Sequence, residues 1–353
     1  MDRNKKSLDE KLERIRRDPL KCKEFIIADA KDGDMGFGLT APGPRPTNRG
    51  EKAEKHEIRW KTLQDYRDQI RAVIDQSIVD IVLLSTSNLE QVGIKEGRFF
   101  ESSVTPAARA NDTSDIWVVR EGKYAKFPSR PFRTTTIDHI KYGRLEEDHS
   151  KPVEGADLGL YSITFTNDLD WDRRSLSSFR DFRLEAEQKH FRYFLEVFNP
   201  NIDPGIDPEK IGSFVNDHII RCLAGVPCVG RPLFLKIPYN GPGPLEELVS
   251  YDPQLIVGIL GGSAGTTRDA FQLICDAKKY GARVALFGRK INLSEDPLSF
   301  IEFLRRITDE EIGPIEAVKA YHSALKTAKI EPLRQLSVDI ELTDPLLIQS
   351  QSS

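Results

Sequence analysis

The sequence has little cysteine and no histidine pattern that is typical of a metal site. Only four of its 353 residues are cysteine, and the one close pair, Cys222 and Cys228, matches neither a CxxC motif nor a paired zinc motif. We expect reduced thiols rather than a disulfide framework. The six histidines are scattered, without HxH or HExxH spacing, so we expect no metal.

Long hydrophobic runs and an excess of charge of one sign are also missing. No apolar stretch approaches the roughly 18 residues that a membrane helix needs, and the charged first residues predict no secretory signal. Lys and Arg total 51 against 55 Asp and Glu, a net charge of -4, whereas nucleic-acid-binding domains usually carry a strong basic excess. We therefore expect a cytoplasmic globular protein that binds neither nucleic acid nor membrane.

Eight short apolar runs alternate with amphipathic stretches along the chain. Near-continuous apolar runs are typical of parallel strands that are buried on both faces. Eight strand–helix repeats, with no dinucleotide-binding fingerprint after the first run, favour a (β/α)8 TIM barrel over an open doubly wound sheet. The runs are 25–28, 79–84, 103–109, 158–164, 193–197, 232–236, 255–259 and 283–287, and the clearest helices are 60–76, 175–190, 211–224 and 267–280.

We interpret residues 1–353 as a single barrel domain, since barrels often exceed the ~150 residues of an average domain. Residues 1–20 form an N-terminal helical lead-in, 33–55 a long loop after strand one, 117–150 an insertion after strand three, and 310–353 a C-terminal helical extension. The insertion mixes aromatic and basic residues, as surfaces for single-stranded nucleic acid do. With a net negative charge, a β-hairpin or a subunit contact is the better interpretation, and we expect a homo-oligomer.

Lys236 lies inside the apolar run that we predict as the sixth strand. Active sites of barrels form at the carboxyl ends of the strands, and lysine is rarely buried without a partner. Burial favours the neutral form of an amine, which can attack a carbonyl group to form a Schiff base. The alternative is a lysine whose stem lines the barrel while its ammonium pairs with a carboxylate, and the strand alone leaves both open.

Two further residues lie where they would meet this lysine or its substrate. Glu196 is surrounded by apolar residues in the predicted fifth strand, beside the lysine strand. It would either pair with Lys236 or transfer protons. Arg109 ends the predicted third strand, where it could contact substrate hydroxyl groups.

Glycines follow the predicted seventh and eighth strands, at Gly261, Gly262 and Gly288, with Ser263 and Arg289 beside them. The loops after these two strands are the usual phosphate site of barrels, because their backbone N–H groups can approach an anion closely. Arginine adds a bidentate contact to such an anion. Turn chemistry explains either group alone, but their succession favours an anion site.

Three segments together resemble the last third of the class I (Schiff-base) aldolases. This superfamily comprises deoxyribose-phosphate, archaeal-type fructose-bisphosphate and tagatose-bisphosphate aldolases, and the resemblance runs from about residue 193 to residue 306. Ile26-Ile27-Ala28-Asp29 is also similar to the family's first strand, whose terminal aspartate lines the pocket in several members. The three segments are Leu235-Lys236 with Pro238-Tyr239-Asn240-Gly241, Gly261-Gly262-Ser263, and Gly288-Arg289-Lys290-Ile291.

The resemblance implies a carbon–carbon lyase of carbohydrate metabolism that cleaves a phosphorylated, or sulfonated, ketose. It implies that Lys236 forms the Schiff base with Glu196 and Asp29 as further catalytic residues. No cofactor is expected, because the protonated imine is itself the electron sink. The other function that stays open is a barrel that binds a sugar phosphate without cleaving it, as an isomerase or a regulatory protein. The predicted substrate- and phosphate-binding residues are Gly261, Gly262, Ser263, Gly288, Arg289, Tyr239 and Arg109.

One departure from the family concerns the proton-transfer group. Fructose-bisphosphate members carry a catalytic tyrosine at the end of strand four, where this chain has Thr164-Phe165-Thr166. Proton transfer would therefore fall to Glu196, to Tyr239 or to a residue that the sequence does not identify.

Overall fold

Eight parallel strands close into a barrel in the computed structural model, which describes residues 5–45, 59–262 and 265–351. Each strand pairs with the next along the chain, and the first also pairs with the last, with Asp29 opposite Phe287. The predicted (β/α)8 barrel is confirmed. The strands are β1 (Ile26–Lys31), β2 (Ile81–Leu84), β3 (Thr105–Arg109), β4 (Leu158–Thr164), β5 (Arg192–Phe198), β6 (Leu235–Ile237), β7 (Val257–Leu260) and β8 (Val284–Phe287).

Helices precede, connect and follow the strands. Short 3-10 turns lie at Gly38–Thr40, Tyr124–Lys126, Pro208–Lys210 and Cys228–Gly230, and a π-helical segment spans Leu89–Lys95. No helix among the described residues is both long and apolar enough to cross a bilayer. The α-helices are α1 (Ser7–Arg17), α2 (Gly33–Phe37), α3 (Leu63–Gln76), α4 (Thr86–Asn88), α5 (Ile137–Tyr142), α6 (Leu169–Gln188), α7 (Ile211–Ala224), α8 (Pro242–Tyr251), α9 (Thr267–Lys279), α10 (Arg289–Asn292), α11 (Pro297–Thr308), α12 (Pro314–Thr327), α13 (Leu336–Asp339) and α14 (Pro345–Ser350).

Side-chain caps explain where the principal helices begin. Thr62 and Asp65 form a capping box, so α3 begins at Leu63 rather than at residue 60. The same motif at Thr266 begins α9 where the sequence predicts it. Asp168 accepts hydrogen bonds from the first turn of α6, which therefore begins six residues before the predicted start at 175.

Alternation along the strands divides the apolar residues into two cores. Side chains such as Ile26 and Ala28 fill the barrel interior, whereas Ile27 between them packs outward against the helices. Three residues of α1 join the interior core, so this helix closes the amino-terminal end of the barrel. These residues are Leu8, Leu12 and Ile15.

The region predicted as a long loop after strand one contains ordered structure. Helix α2 and one 3-10 turn follow β1 directly, while residues 46–58 lie outside the described part. Two glycines within five residues of α2 hide this helix from a propensity argument. Gly36 is needed for packing, because a Cβ atom there would lie 2.8 Å from the carbonyl oxygen of Ile116.

The insertion after β3 is a long loop that is closed by a short antiparallel pair of strands, rather than a tight β-hairpin. Residues Asp112–Thr113 pair antiparallel with Pro131–Phe132, and α5 follows. Trp117 stacks on Tyr124 within it, with ring centroids 4.1 Å apart. The backbone N–H of Val118 donates to the carbonyl of Gly36 at 2.9 Å, so the insertion packs against α2.

The C-terminal helices are bound to α9 by buried polar contacts. Asp269 accepts hydrogen bonds from the backbone N–H groups of Thr343 and Asp344. Ser350 donates to the buried Asp276, and Tyr321 of α12 packs against Phe271. Residues after 310 therefore cover the outer face of the barrel beside β7 and β8.

A buried carboxylate at Asp80 joins four elements at the amino-terminal end. One oxygen lies 2.9 Å from the Lys11 Nζ atom of α1. The other accepts from the Arg305 guanidinium of α11 at 2.7 Å and from the backbone N–H of Ile27 in β1 at 2.9 Å. Two cations from distant parts of the chain thus share one carboxylate that is 2% exposed.

We expect Asp80→Ala to lower the free energy of unfolding by about 3–5 kcal/mol, because it leaves two cations in a buried place without their carboxylate. Glu13→Ala removes an exposed carboxylate of α1 and should change stability by less than about 0.5 kcal/mol. Urea denaturation measures both. Equal stability of the two variants would contradict the inference that the Asp80 carboxylate stabilises the contacts between these elements.

Candidate functional site

A cavity of about 230 Å³ opens at the carboxyl ends of the barrel strands. Its floor is the apolar layer below, in which the Phe194 and Phe234 rings stack 4.7 Å apart. Helix α2 and the insertion after β3 complete its walls, through residues such as Phe37 and Ile116. The polar residues that line the cavity are Asp32, Arg109, Asp115, Glu196, Lys236, Arg289 and Asn292.

The structure brings Lys236 and Glu196 together on this floor. They are direct partners in the register of β5 and β6, so their side chains leave the sheet on the same face. The Lys236 Nζ atom lies 2.5 Å from Glu196 Oε1, and the side chains are 8% and 1% exposed. The prediction that the two neighbour each other rested on adjacent strands, and the register explains it.

The second oxygen of Glu196 is held from the other side. Ser162 of β4 donates its hydroxyl to Oε2 at 2.6 Å, and the Arg109 guanidinium lies 3.6 Å away. Arg109 in turn pairs with Asp32 at 2.5 Å. Lys236, Glu196, Arg109 and Asp32 thus form a chain of alternating charge that crosses the cavity.

Arg109 is therefore a partner of carboxylates in the cavity wall. Burial alone would lower the pKa of its guanidinium, but the carboxylates of Asp32 and Glu196 outweigh burial and raise it. Arg109 also donates to the Ser162 hydroxyl at 3.1 Å. The N–H groups of Arg109 that contact Asp32, Glu196 and Ser162 hold these side chains in place. Contact with a substrate would use the remaining N–H groups of the guanidinium.

Asp29 does not line the cavity, and that prediction is wrong. Successive residues of β1 point to opposite faces, so Ala30 reaches the cavity while Asp29 lies in the outer layer with Ile27. Asp29 is fully buried 2.9 Å from the Lys31 ammonium, and burial raises its pKa although Lys31 acts in the opposite direction. The carboxylate that this part of the chain brings to the cavity is Asp32, just beyond the strand.

Tyr239 also lies outside the cavity. Like Ile237, it faces the outer core, and its hydroxyl is buried without a hydrogen-bond partner in the described part of the chain. Burial raises the pKa of this phenol, with Asp276 of α9 adding to the effect. Tyr239 is therefore not among the residues that line the cavity, and its position does not support the alternative that it transfers protons.

The predicted anion-binding segments converge in part. Gly261, Gly288 and Arg289 line the cavity, while Gly262 is exposed beside it and Ser263 lies outside the described residues. Gly261 is required sterically, since a Cβ atom there would overlap the ring of Phe287. Turn chemistry alone thus does not explain the glycine pair.

Arg289 faces the cavity without a carboxylate partner among the described residues. Its guanidinium carbon lies 5.0 Å from the centre of the Phe37 ring, a distance at which a cation is attracted to an aromatic face. A charge in this position is available to an anionic ligand.

Asn292 is a cavity residue that the sequence did not reveal. It lies one helical turn after Arg289 in α10, and its Oδ1 atom accepts a hydrogen bond from the Lys31 ammonium. Because an ammonium only donates, the amide oxygen must face Lys31, and the NH2 group is left for the cavity. The i, i+3 spacing from Arg289 was the available signal.

Asp32, Asp115 and Ser162 were missed for a related reason. Asp32 and Asp115 lie in segments without strand pattern, where a carboxylate usually faces solvent. Ser162 lies in a strand, but a single serine in an apolar run carries no chemical signature. Only the barrel geometry places the three around Glu196 and Arg109.

The buried Asp112, just beyond β3, has a pKa raised from 3.8 to about 6 by burial, although Arg109 lowers it in part. The folded protein therefore keeps this proton up to about pH 6, whereas the unfolded chain releases it near pH 3.8. Unfolding releases a proton between these values, so the free energy of unfolding falls as the pH rises through this window.

We expect Asp112→Asn to be more stable than the wild type at pH 7 by about 1–3 kcal/mol, with little difference at pH 3.5. Chemical denaturation at both pH values measures the change. Asp148→Asn, at an exposed loop residue, should show no such gain. A difference between Asp112→Asn and wild type that is independent of pH would contradict the raised pKa.

Comparisons with solved structures agree with this barrel. A fructose-bisphosphate aldolase from Slackia heliotrinireducens DSM 20476 is 13% identical, with a TM-score of 0.62 over 93% of each chain. An archaeal fructose 1,6-bisphosphate aldolase is 14% identical, with a TM-score of 0.57 over 84% of this chain and 98% of that one.

A Schiff-base-forming fructose-1,6-bisphosphate aldolase, solved with reaction intermediates, is 13% identical, with a TM-score of 0.58 over 84% of this chain and 99% of that one. No family model and no curated protein matches the sequence. At these identities the likeness shows the fold, and the resemblance to aldolases is confirmed at that level.

Proposed function

We propose that this protein is a class I aldolase that cleaves a phosphorylated, or sulfonated, ketose through a Schiff base on Lys236. The observation that carries the proposal is the pair formed by Lys236 and Glu196, 2.5 Å apart at the floor of the cavity. A primary amine at the end of a closed pocket, with a proton acceptor in contact, has the parts that imine formation needs. The aldolase fold of the structural neighbours supports the same reading.

The first steps use the contact between the two side chains. Glu196 takes a proton from the Lys236 ammonium, and the neutral amine attacks the ketone carbon of the substrate. Glu196 then returns this proton to the carbinolamine oxygen and transfers a second one to it from the nitrogen, so that the oxygen leaves as water and the protonated imine remains. A carboxyl group in hydrogen-bond contact with the nitrogen is placed for each of these transfers.

The bond between C3 and C4 breaks in the next step. Its electron pair moves toward the protonated imine, which becomes an enamine on Lys236. The hydroxyl group on C4 gives its proton to a base, and the fragment that begins at C4 leaves as an aldehyde. Protonation of the enamine and hydrolysis of the resulting imine release a three-carbon ketone and restore the amine. The positive imine nitrogen accepts the electrons, so the step needs no other electron sink.

Arg109 and Ser162 act by holding Glu196. Both bind its Oε2 atom, which leaves Oε1 as the oxygen that faces Lys236. Asp32 balances the charge of Arg109, so the lysine does not share its carboxylate with an unpaired cation. In this arrangement Glu196 keeps one geometry through the proton transfers.

The anionic group of the substrate binds at the opposite end of the cavity. Gly261 and Gly288 leave space for close approach to the backbone, and Arg289 supplies a positive charge. The NH2 group of Asn292, oriented by Lys31, adds a neutral donor one turn away. These groups suit a phosphate or sulfonate, which offers several acceptor oxygens.

The contact between Lys236 and Glu196 is also compatible with a second function, in which the lysine stays protonated. An ammonium 2.5 Å from a carboxylate is also the geometry of a stable ion pair, and a permanently protonated lysine does not attack a carbonyl. The protein would then bind a sugar phosphate without cleaving it, as an isomerase or a regulatory protein. Covalent trapping on Lys236 separates the two functions.

We expect borohydride reduction in the presence of ketose phosphates to leave a covalent adduct on Lys236, with the mass of the substrate or of its three-carbon product less one oxygen atom. Intact mass spectrometry measures the adduct, and peptide mapping places it. Lys236→Met, which is apolar and of similar length, should fold and give no adduct and no turnover. Lys319→Met, at an exposed lysine of α12, should react like the wild type. Full turnover by Lys236→Met would exclude the aldolase.

We expect Arg289→Ala to weaken the affinity for a phosphorylated ketose about 10–150-fold, the loss of one charge-assisted hydrogen bond. Asn292→Asp should lose more, because it keeps the contact with Lys31 but turns a carboxylate toward the anion. Arg180→Ala, at an exposed arginine of α6, is the control. Calorimetry gives the affinities, and a lower melting temperature with unchanged affinity would contradict the anion site.

A further inference from the structure

Asp115 differs from the other carboxylates of the cavity, because its partners among the described residues are hydroxyl groups rather than cations. Glu196 contacts Lys236 and Arg109, and Asp32 contacts Arg109. Among the described residues, no lysine, arginine or histidine forms an ion pair with Asp115, although it lines the same cavity. Within the described part of the chain, its charge is therefore not neutralised by an ion pair.

Two hydroxyl groups hold this carboxylate in place. Thr164, the last residue of β4, donates to Oδ2 at 2.8 Å, and Ser129 of the insertion donates to Oδ1 at 2.8 Å. The backbone N–H of Ser129 is itself bound to the side chain of Asn201, beyond β5. Each carboxylate oxygen accepts more than one hydrogen bond, so both keep capacity for a ligand.

The height of Asp115 above the lysine follows from β4. Ser162, which binds Glu196, and Thr164, which binds Asp115, are two residues apart and face the same side of the strand. A strand rises about 3.3 Å per residue, so Thr164 lies about 6.6 Å farther along the strand, in the direction of the mouth, than Ser162. Asp115 is thus held one layer above the Lys236–Glu196 pair.

A chain that is attached to Lys236 through its carbonyl carbon extends from the floor toward this layer. The hydroxyl group on the carbon beyond the breaking bond must lose its proton as that bond breaks. One oxygen of Glu196 contacts the Lys236 nitrogen, and the other accepts the Ser162 hydroxyl. Glu196 is therefore placed for proton transfers at the imine nitrogen. The second proton needs an acceptor nearer the mouth.

We propose that Asp115 is this second proton-transfer group, which accepts the proton of the substrate hydroxyl during carbon–carbon cleavage. The proton moves from the hydroxyl oxygen to Asp115, the O–H electron pair forms the new carbonyl, and the C–C pair forms the enamine on Lys236. The proposal rests on the Schiff-base function of Lys236. It divides the proton transfers between Glu196 at the imine and Asp115 at the leaving aldehyde.

The test separates imine formation from cleavage. Wild type, Asp115→Asn and Glu121→Gln are each reduced with borohydride in the presence of dihydroxyacetone phosphate. This three-carbon ketone can form the imine, but it has no C3–C4 bond to cleave. Cleavage is measured separately with the ketose phosphate that is trapped by the wild type. Glu121→Gln removes an exposed carboxylate of the same insertion and is the matched control.

We expect Asp115→Asn to form the adduct like the wild type but to cleave the ketose about 10²–10⁴-fold more slowly, with KM nearly unchanged. Formate should restore part of the cleavage to Asp115→Ala, because a small carboxylate fits the space left by the side chain. A residue that only stabilises the insertion would show no rescue, and Glu121→Gln should cleave normally.

Other results overturn the proposal in different ways. Cleavage by Asp115→Asn within about twofold of the wild type, or a loss confined to KM, would show that Asp115 at most binds substrate. Loss of the adduct together with cleavage in a folded Asp115→Asn would assign it to imine formation instead. Absence of an adduct in the wild type would overturn the Schiff-base function, and this proposal with it.

Discussion

The chain of alternating charge formed by Lys236, Glu196, Arg109 and Asp32 is the interaction on which the rest of the site depends. Four ionised groups in a nearly closed cavity are costly unless each finds an opposite partner. Here two cations and two carboxylates alternate between β6, β5, β3 and the segment after β1. Their mutual contacts allow a lysine to remain at the bottom of a barrel, where an isolated ammonium would be excluded.

The barrel prepares this chain by closing everything beneath it. Helix α1 covers the amino-terminal end with Leu8, Leu12 and Ile15, and the stacked rings of Phe194 and Phe234 form the layer above. The charged layer lies at the carboxyl ends of the strands, where the cavity opens. The same packing that stabilises the amino-terminal half of the barrel therefore forms the floor beneath the lysine.

The segments added to the barrel contribute directly to this entrance. Helix α2 brings Asp32 and Phe37 to one wall, and the insertion after β3 brings Asp115 to another. The two segments meet where Gly36 lies against Ile116. The C-terminal helices have a different role, since Asp269, Asp276 and Tyr321 bind them to the outside of the barrel. Additions on the carboxyl side of the strands thus line the cavity, while the C-terminal helices pack on the outside of the barrel.

Local pattern in the sequence was enough to predict the eight strands, the barrel, the strands that carry Lys236 and Glu196, and the position of Arg289 just after the last strand. Apolar runs and helix caps depend on near neighbours, which a sequence shows directly. The face toward which a residue points needs the strand limits and their register, and for this reason Asp29 and Tyr239 were assigned to the cavity although both face outward. A shift of one residue reverses the face.

Only the folded barrel shows which carboxylates line the cavity of Lys236. Asp32 and Asp115 lie 83 residues apart, in segments with no regular pattern, and Asn292 is turned toward the cavity by Lys31 from the other end of the chain. Such contacts join residues that are distant in sequence, and their energies depend on distance and burial rather than on order along the chain. Local pattern therefore predicts the barrel and the lysine inside it. The partners of that lysine follow from the closure of the barrel, which joins residues that are distant in sequence.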